Sequence, residues 1–306
     1  MIVVVAPGQG SQTPGFLEPW LADPEQRALL ESLSEAAGTD LVAHGTVSDA
    51  DTIKDTAVAQ PLIVAAGIMT ARALFSRVDR AAVSGVAGHS VGEFTAAAVS
   101  GVLTDVDAVS LVAERGRAMA DAAAQIETGM SAVLGADEAE LTARLAELGL
   151  EPANYNGGGQ IVVAGESAAL AALAAEPPTR ARVIPLTVAG AFHTRFMAPA
   201  VERLRSAASQ VTASDPTLTL WTNHDGSVVD AGGRFVELLV GQVSSPVRWD
   251  KTMESFAAAG ITGLVELAPA GALTGLAKRG LKGVPSVAVK TPDDLQAAID
   301  LIEGAA

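Results

Sequence analysis

Apolar residues fall along this chain in two alternating kinds of run. Short unbroken stretches, Ile2-Val3-Val4-Val5 and Ala82-Val83-Ser84-Gly85-Val86-Ala87, read as strands buried on both faces. Longer stretches with apolar positions three and four apart predict helices near 24–37, 59–76 and 105–124, the last through Val106, Val109, Val112, Ala113, Met119 and Ala120. Strands and helices that alternate in this way predict an α/β protein with a parallel sheet.

Between 128 and 188 the order changes. A strand (Met130 to Leu134), a helix (138–148), strands over 151–155 and 160–164, a helix (167–175) and a strand (181–186) give the β-α-β-β-α-β order of a ferredoxin-like unit. Residues 1–127 and 189–306 are therefore expected to form one large domain, with 128–188 inserted as a small one and substrate held in the cleft between them. Asn156-Gly157-Gly158-Gly159 is predicted to be a hairpin loop between the small domain's central strands, not a phosphate cradle, because no helix start or G-K-[ST] follows it. Beyond Thr194, helices are expected near 195–210, 232–242, 249–260 and 271–281, interleaved with strands around 218–222, 263–267 and 285–289.

Composition narrows the classes. With 306 residues, 49% hydrophobic and only 4% aromatic, the chain can bury a large core built from Ala, Val, Leu and Ile. No run is read as reaching the about 20 apolar residues that a membrane span needs, and residues 1–6 lack a basic flank, so a cytoplasmic location is expected. Zero cysteines exclude thiolate catalysis and leave serine as the obvious nucleophile. A net charge of -15 argues against nucleic acid and anionic membranes. An acidic partner would need a local basic patch, for which Lys278, Arg279 and Lys282 form one candidate and Arg180 and Arg182 another.

The chemistry is expected at Gly88-His89-Ser90-Val91-Gly92-Glu93, where a strand, a tight G-x-S-x-G turn and a helix would present Ser90 as a nucleophile beside free helix-start amides. Serine needs a base, and four histidines are available: His44, His89, His193 and His224. His89 adjoins Ser90 on a sharp turn where neighbouring side chains diverge, and His44 and His224 lie in polar surroundings. His193, in Ala191-Phe192-His193 at the return from the small domain, is the preferred base. No histidine and carboxylate spacing suggests a metal, and Gly8-Gln9-Gly10 lacks the third glycine of a dinucleotide fingerprint.

Five motifs in order, Gly8-Gln9-Gly10-Ser11-Gln12, the Ser90 hexapeptide, Arg115-Gly116, Ala191-Phe192-His193 and Gln242-Val243-Ser244-Ser245-Pro246-Val247-Arg248-Trp249, resemble the malonyl-CoA:acyl carrier protein transacylases. The resemblance spans nearly the whole chain and implies a hydrolase-like α/β domain with a ferredoxin-like insertion. It implies Ser90 as acyl acceptor, His193 as base, the amides of Gln9 and Val91 as the oxyanion hole, and the Gln242 carbonyl as the group that orients His193. No carboxylate completes the dyad, so Asp250 is expected to be structural. Arg115, which alone would read as a surface ion pair, is implied to hold the malonate carboxylate, with Met119, Phe192, Asn156 and Asn154 around the acyl site. Phe192 and Val91 match malonyl-selecting rather than methylmalonyl-selecting domains, although Gly190 stands where the full signature has histidine.

The implied substrates are malonyl-CoA and acyl carrier protein, with no bound cofactor; a monomer is expected because no spare apolar helix presents itself. A serine hydrolase using the same turn, and a carrier-binding subunit without activity, are the alternative readings.

Overall fold

A computed structural model describes residues 1–304. Strand β1 (Ile2–Ala6) leads through a loop to helices α1 (Pro24–Ala37), α2 (Leu41–Thr46) and α3 (Thr56–Phe75). Strand β2 (Val83–Gly88) is followed by α4 (Gly92–Ser100) and α5 (Asp105–Ala123). Next come β3 (Thr128–Leu134), α6 (Glu138–Leu148), β4 (Glu151–Gly157), β5 (Gln160–Glu166), α7 (Ser167–Ala175) and β6 (Arg182–Pro185). The chain ends with α8 (Ala198–Ala208), β7 (Thr219–Leu220), α9 (Gly232–Gln242), α10 (Trp249–Ala259), β8 (Gly263–Glu266), α11 (Ala272–Gly280), β9 (Ser286–Ala288) and α12 (Leu295–Glu303). Helices α2 and α12 lie outside the set that periodicity predicts.

The protein is α/β. Five strands in the order β7-β2-β1-β8-β9 form a sheet whose pairings are all parallel, and β4-β5-β3-β6 form a second, antiparallel sheet with ferredoxin-like strand order. All five residues of β1 are buried. Ile2, Val4 and Ala6 join the core on one face with α3, α4 and α5, while Val3 and Val5 join the smaller core with α10 and α11. Two-faced burial is what removes polar alternation from these strands.

Several expectations are corrected. The helix expected at 195–210 starts as a 3-10 turn over Arg195–Met197, and α8 begins only where Pro199 can occupy a first-turn position without a missing hydrogen bond. The strand expected at 218–222 has only two residues in the ladder. Asn156 and Gly157 belong to β4, not to the hairpin loop, and β4 is an edge of the small sheet, not a central strand. Helix α3 has the length and composition of a membrane span, against the reading that no run does. It is apolar all round because it is surrounded: 78% of that window is buried, among helices that include α4 and α5.

The edge strand β4 docks on the first sheet's side of the molecule by backbone hydrogen bonds, Tyr155 N–H to the Val247 carbonyl at 2.8 Å and Val247 N–H to that of Ala153 at 2.9 Å. This satisfies an edge that would otherwise be open. The carboxyl ends of β1 and β2 therefore open toward β4, where loops from both sheets meet.

Candidate active site

The turn after β2 is tight because two glycines allow it. A Cβ on Gly92 would lie 2.2 Å from the Ala6 carbonyl oxygen, and one on Gly88 would lie 2.0 Å from the carbonyl carbon of Gly92. Between them Ser90 sits at φ 52°, a left-handed conformation that costs a non-glycine residue on the order of 1–3 kcal/mol. Buried Asn223 braces the strained turn: its Oδ1 accepts from Ser90 N–H at 2.6 Å and its Nδ2 donates to the Gly88 carbonyl at 2.7 Å.

His193 arrives from the opposite side, on the loop that returns from β6. That loop is tied to the start of β3, because Ala191 N–H donates to Thr128 Oγ1 at 3.0 Å. His193 Nε2 lies 2.7 Å from Ser90 Oγ, and Nδ1 lies 2.9 Å from the Gln242 carbonyl. A carbonyl only accepts, so Nδ1 carries the proton and the Nε2 lone pair faces the serine hydroxyl. Burial, reinforced by the nearby Arg115 charge, pushes the imidazole down to about 3 and keeps it neutral. Asp250 does not approach it; its two oxygens accept from Arg248 at 2.9 and 2.7 Å.

Arg115, on α5, is 1% exposed. Nη1 donates to Gln60 Oε1 at 2.6 Å and Nη2 to Gln242 Oε1 at 2.8 Å, while Nη2 also lies 3.4 Å from Ser90 Oγ. Its Nε finds no partner among the described residues. Burial pulls this guanidinium down to about 10, offset by the Glu93 carboxylate, which leaves it charged at neutral pH with donors facing neutral oxygens only. The surface ion pair one turn away is made instead by Arg117, with Glu114.

Three residues that the sequence reading gave no role hold this arrangement. Glu93, 1% exposed, accepts from Asn223 N–H at 2.7 Å and from the Gln242 amide, and burial pushes its carboxyl up to about 7 against those donors. Gln60 and Asn223 are both fully buried. Gln60 had a signal, a lone amide in an otherwise apolar helix; Asn223, in a loop, had none. Gln242 joins them all, since its backbone carbonyl holds His193 while its side chain meets Arg115, Glu93 and the Ser90 carbonyl.

A cavity of about 400 Å³ reaches Ser90 and His193 and is lined also by Gln9, Asn154, Asn156 and Phe192. Neither the Gln9 nor the Val91 amide has a backbone or side-chain acceptor among the described residues, so both are free to bind an oxyanion. Asn156 Oδ1 is 2.9 Å from His89 Nε2, and the His89 ring packs edge-on against Trp249 and makes no hydrogen bond to Ser90 Oγ among the described residues. Met119 is buried one turn from Arg115 on the same helix, its sulfur 3.4 Å from Nε2 of the Gln60 amide that holds Arg115, and like Arg115 it is not among the residues that line this cavity.

Lys278, Arg279 and Lys282 are exposed at the end of α11, and Arg279 lines the cavity. Arg180 and Arg182 are exposed on the other edge of the small sheet. Arg182, Leu134, Gln160 and Gly157 are successive register neighbours across its four strands, so Arg182 lies about three strand spacings, ~14 Å, from Gly157, whose neighbour Gly158 approaches Arg279. Among the described residues no cluster of three or more His, Asp or Glu side chains is placed to hold a metal.

The acyl transferase domain family model matches residues 3–293. The chain is 50% identical over 302 residues, 98% of its length and 100% of the relative's, to the malonyl CoA-acyl carrier protein transacylase of Mycobacterium tuberculosis (strain H37Rv). It superposes on the crystal structure of MCAT from Mycobacterium tuberculosis with a TM-score of 0.94 at 50% identity, covering 97% of this chain and 99% of that one. With a malonyl-transacylase solved in complex with its type II PKS acyl-carrier protein, it shares a TM-score of 0.90 and 29% identity over 99% of both chains.

Proposed function

The chain belongs to the acyl transferase family, among the malonyl CoA-acyl carrier protein transacylases, and on that premise we propose how its side chains carry out the transfer. A malonyl group leaves coenzyme A and arrives on the phosphopantetheine thiol of acyl carrier protein. The observation that carries the mechanism is the single contact set at Ser90 Oγ: His193 Nε2 at 2.7 Å and Arg115 Nη2 at 3.4 Å.

The malonyl carboxylate takes the guanidinium of Arg115 through paired charge-assisted hydrogen bonds. Its negative charge offsets the field that depresses His193, so the base strengthens when the correct acyl group is bound. His193 Nε2 takes the hydroxyl proton as Ser90 Oγ forms its bond to the thioester carbonyl carbon, and the Gln9 and Val91 amides bind the oxyanion. Collapse breaks the carbon–sulfur bond, and the departing coenzyme A sulfur takes the proton from His193. In the second half His193 deprotonates the carrier thiol, which attacks the Ser90 ester, and the proton returns to Oγ. Phe192 fills space beside the acyl group and favours malonyl over bulkier α-substituted acyl groups.

We also propose that no bound cofactor takes part and that the protein acts as a cytoplasmic monomer. Every group in the mechanism comes from one chain. Lys278 and Lys282 are assigned to the acidic carrier protein. Incubation with malonyl-CoA in the absence of a thiol acceptor, followed by peptide mapping, tests the scheme. Malonate is expected on Ser90 for minutes; immediate release to water would favour a hydrolase.

A further inference from the structure

Helix α11 lays one face along the cavity. Ala272, Leu273, Gly275, Leu276 and Arg279 all line it, a spacing that puts apolar groups toward the interior and the guanidinium at the helix end. Arg279 is the one cationic side chain among the lining residues, and no carboxylate lines the same cavity. It enters no ion pair among the described residues, unlike most arginines of this chain. Its position is fixed from two sides. Buried Glu266 caps the start of α11, accepting from Leu273 and Thr274 N–H at 2.9 and 2.8 Å. Gly158, at φ 57° in the β4–β5 hairpin, approaches the Arg279 stem so closely that a Cβ there would lie 2.9 Å from the arginine's own Cβ.

A positioned, uncompensated cation at the end of a neutral cavity in a molecule of charge -15 offers an anion a local site against an unfavourable field. Resting on the transacylase reading above, we propose that Arg279 binds the phosphate attached to the far end of the pantetheine arm, the group that coenzyme A and the loaded carrier protein share. The apolar face of α11 then accompanies the arm, and the same contact serves both half-reactions. The planar guanidinium suits a phosphate better than a point charge does.

Arg279→Ala and Arg279→Lys, compared with the unchanged protein, test this with three donors: malonyl-CoA, malonyl-phosphopantetheine and malonyl-pantetheine, the last without phosphate. Arg279→Ala is expected to raise KM for both phosphorylated donors roughly tenfold with kcat within about twofold, to leave malonyl-pantetheine unchanged, and to be partly rescued by lysine. An equal loss with malonyl-pantetheine makes Arg279 a structural residue and overturns the proposal. A loss confined to malonyl-CoA moves the contact to the nucleotide and overturns it too, as does no change with any donor. Failure of every donor to load Ser90 in the unchanged protein would instead overturn the transacylase mechanism.

Discussion

Ser90 and His193 meet with both backbones in the left-handed region, at φ 52° and 62°, and with Oγ 2.7 Å from Nε2. Two strained residues brought face to face, one braced by Asn223 and the other by the Gln242 carbonyl, place the proton acceptor before substrate arrives.

Removal of the nucleophile should abolish the intermediate. Ser90→Ala is expected to lower malonyl transfer by on the order of 10⁴-fold or more and to leave no malonate on the protein by intact mass. Labelling that persists on another residue would falsify the assignment.

Arg115 decides the acyl group, because a malonyl carboxylate supplies the counter-charge that acetyl cannot. Arg115→Ala should reduce the malonyl over acetyl preference in kcat/KM by roughly 10²-fold or more, largely through loss of malonyl. A preference that survives the substitution sinks the carboxylate clamp.

The pH profile carries a signature of burial. With the imidazole of His193 pushed down to about 3, the serine-loading kcat/KM should show no inflection near 6.5 from this histidine, and an inflection near 7 would come from Glu93 and be lost in Glu93→Gln. The unfolded chain binds its proton from 6.5 downward and the folded chain does not, so this group makes stability rise with pH across about 3 to 6.5. Glu93 acts with the opposite sign, since its carboxyl is raised from 4.5 to about 7 and the folded chain holds the extra proton in that window. Urea titrations of the His193→Gln and Glu93→Gln variants separate the two slopes.

Glu93 also fixes which way the Gln242 amide points. With the carboxyl ionised, above about pH 7, both Glu93 oxygens accept, from Asn223 N–H and from the Gln242 amide, so Glu93→Gln puts an NH2 group against one of these donors. The expected cost is about 1–3 kcal/mol of stability. Malonyl selectivity should weaken as well, because a turned amide no longer offers Oε1 to Arg115. Unchanged selectivity in a folded variant removes Glu93 from the chain of contacts.

Carrier docking should show its charge. In the double variant Lys278→Glu, Lys282→Glu, KM for acyl carrier protein is expected to rise more at low ionic strength than at high, relative to KM for malonyl-CoA. A salt-independent effect places the docking surface elsewhere.

What the amino-acid order fixes by itself here is local. Unbroken β-branched runs specify two-faced strands, as in β1, and the glycines on either side of Ser90 admit a turn that any side chain would block. The ferredoxin-like element order was legible for the same reason, since each strand and helix answers to the residues next to it. Where such a pattern misled, neighbours were responsible: α3 is apolar all round because other helices enclose it, and β4 runs on through Asn156 because β5 pairs with it at Tyr155 and Gly157. Tertiary structure alone decided the site's interior. Gln242 and Glu93 touch across a separation of 149 residues, and Asn223 and Glu93 across 130. The contact between the Met119 sulfur and the Gln60 amide, 59 residues apart, is of the same kind. A buried polar group satisfies its hydrogen bonds with whatever the fold brings near, and no periodicity along the chain records which atoms those are.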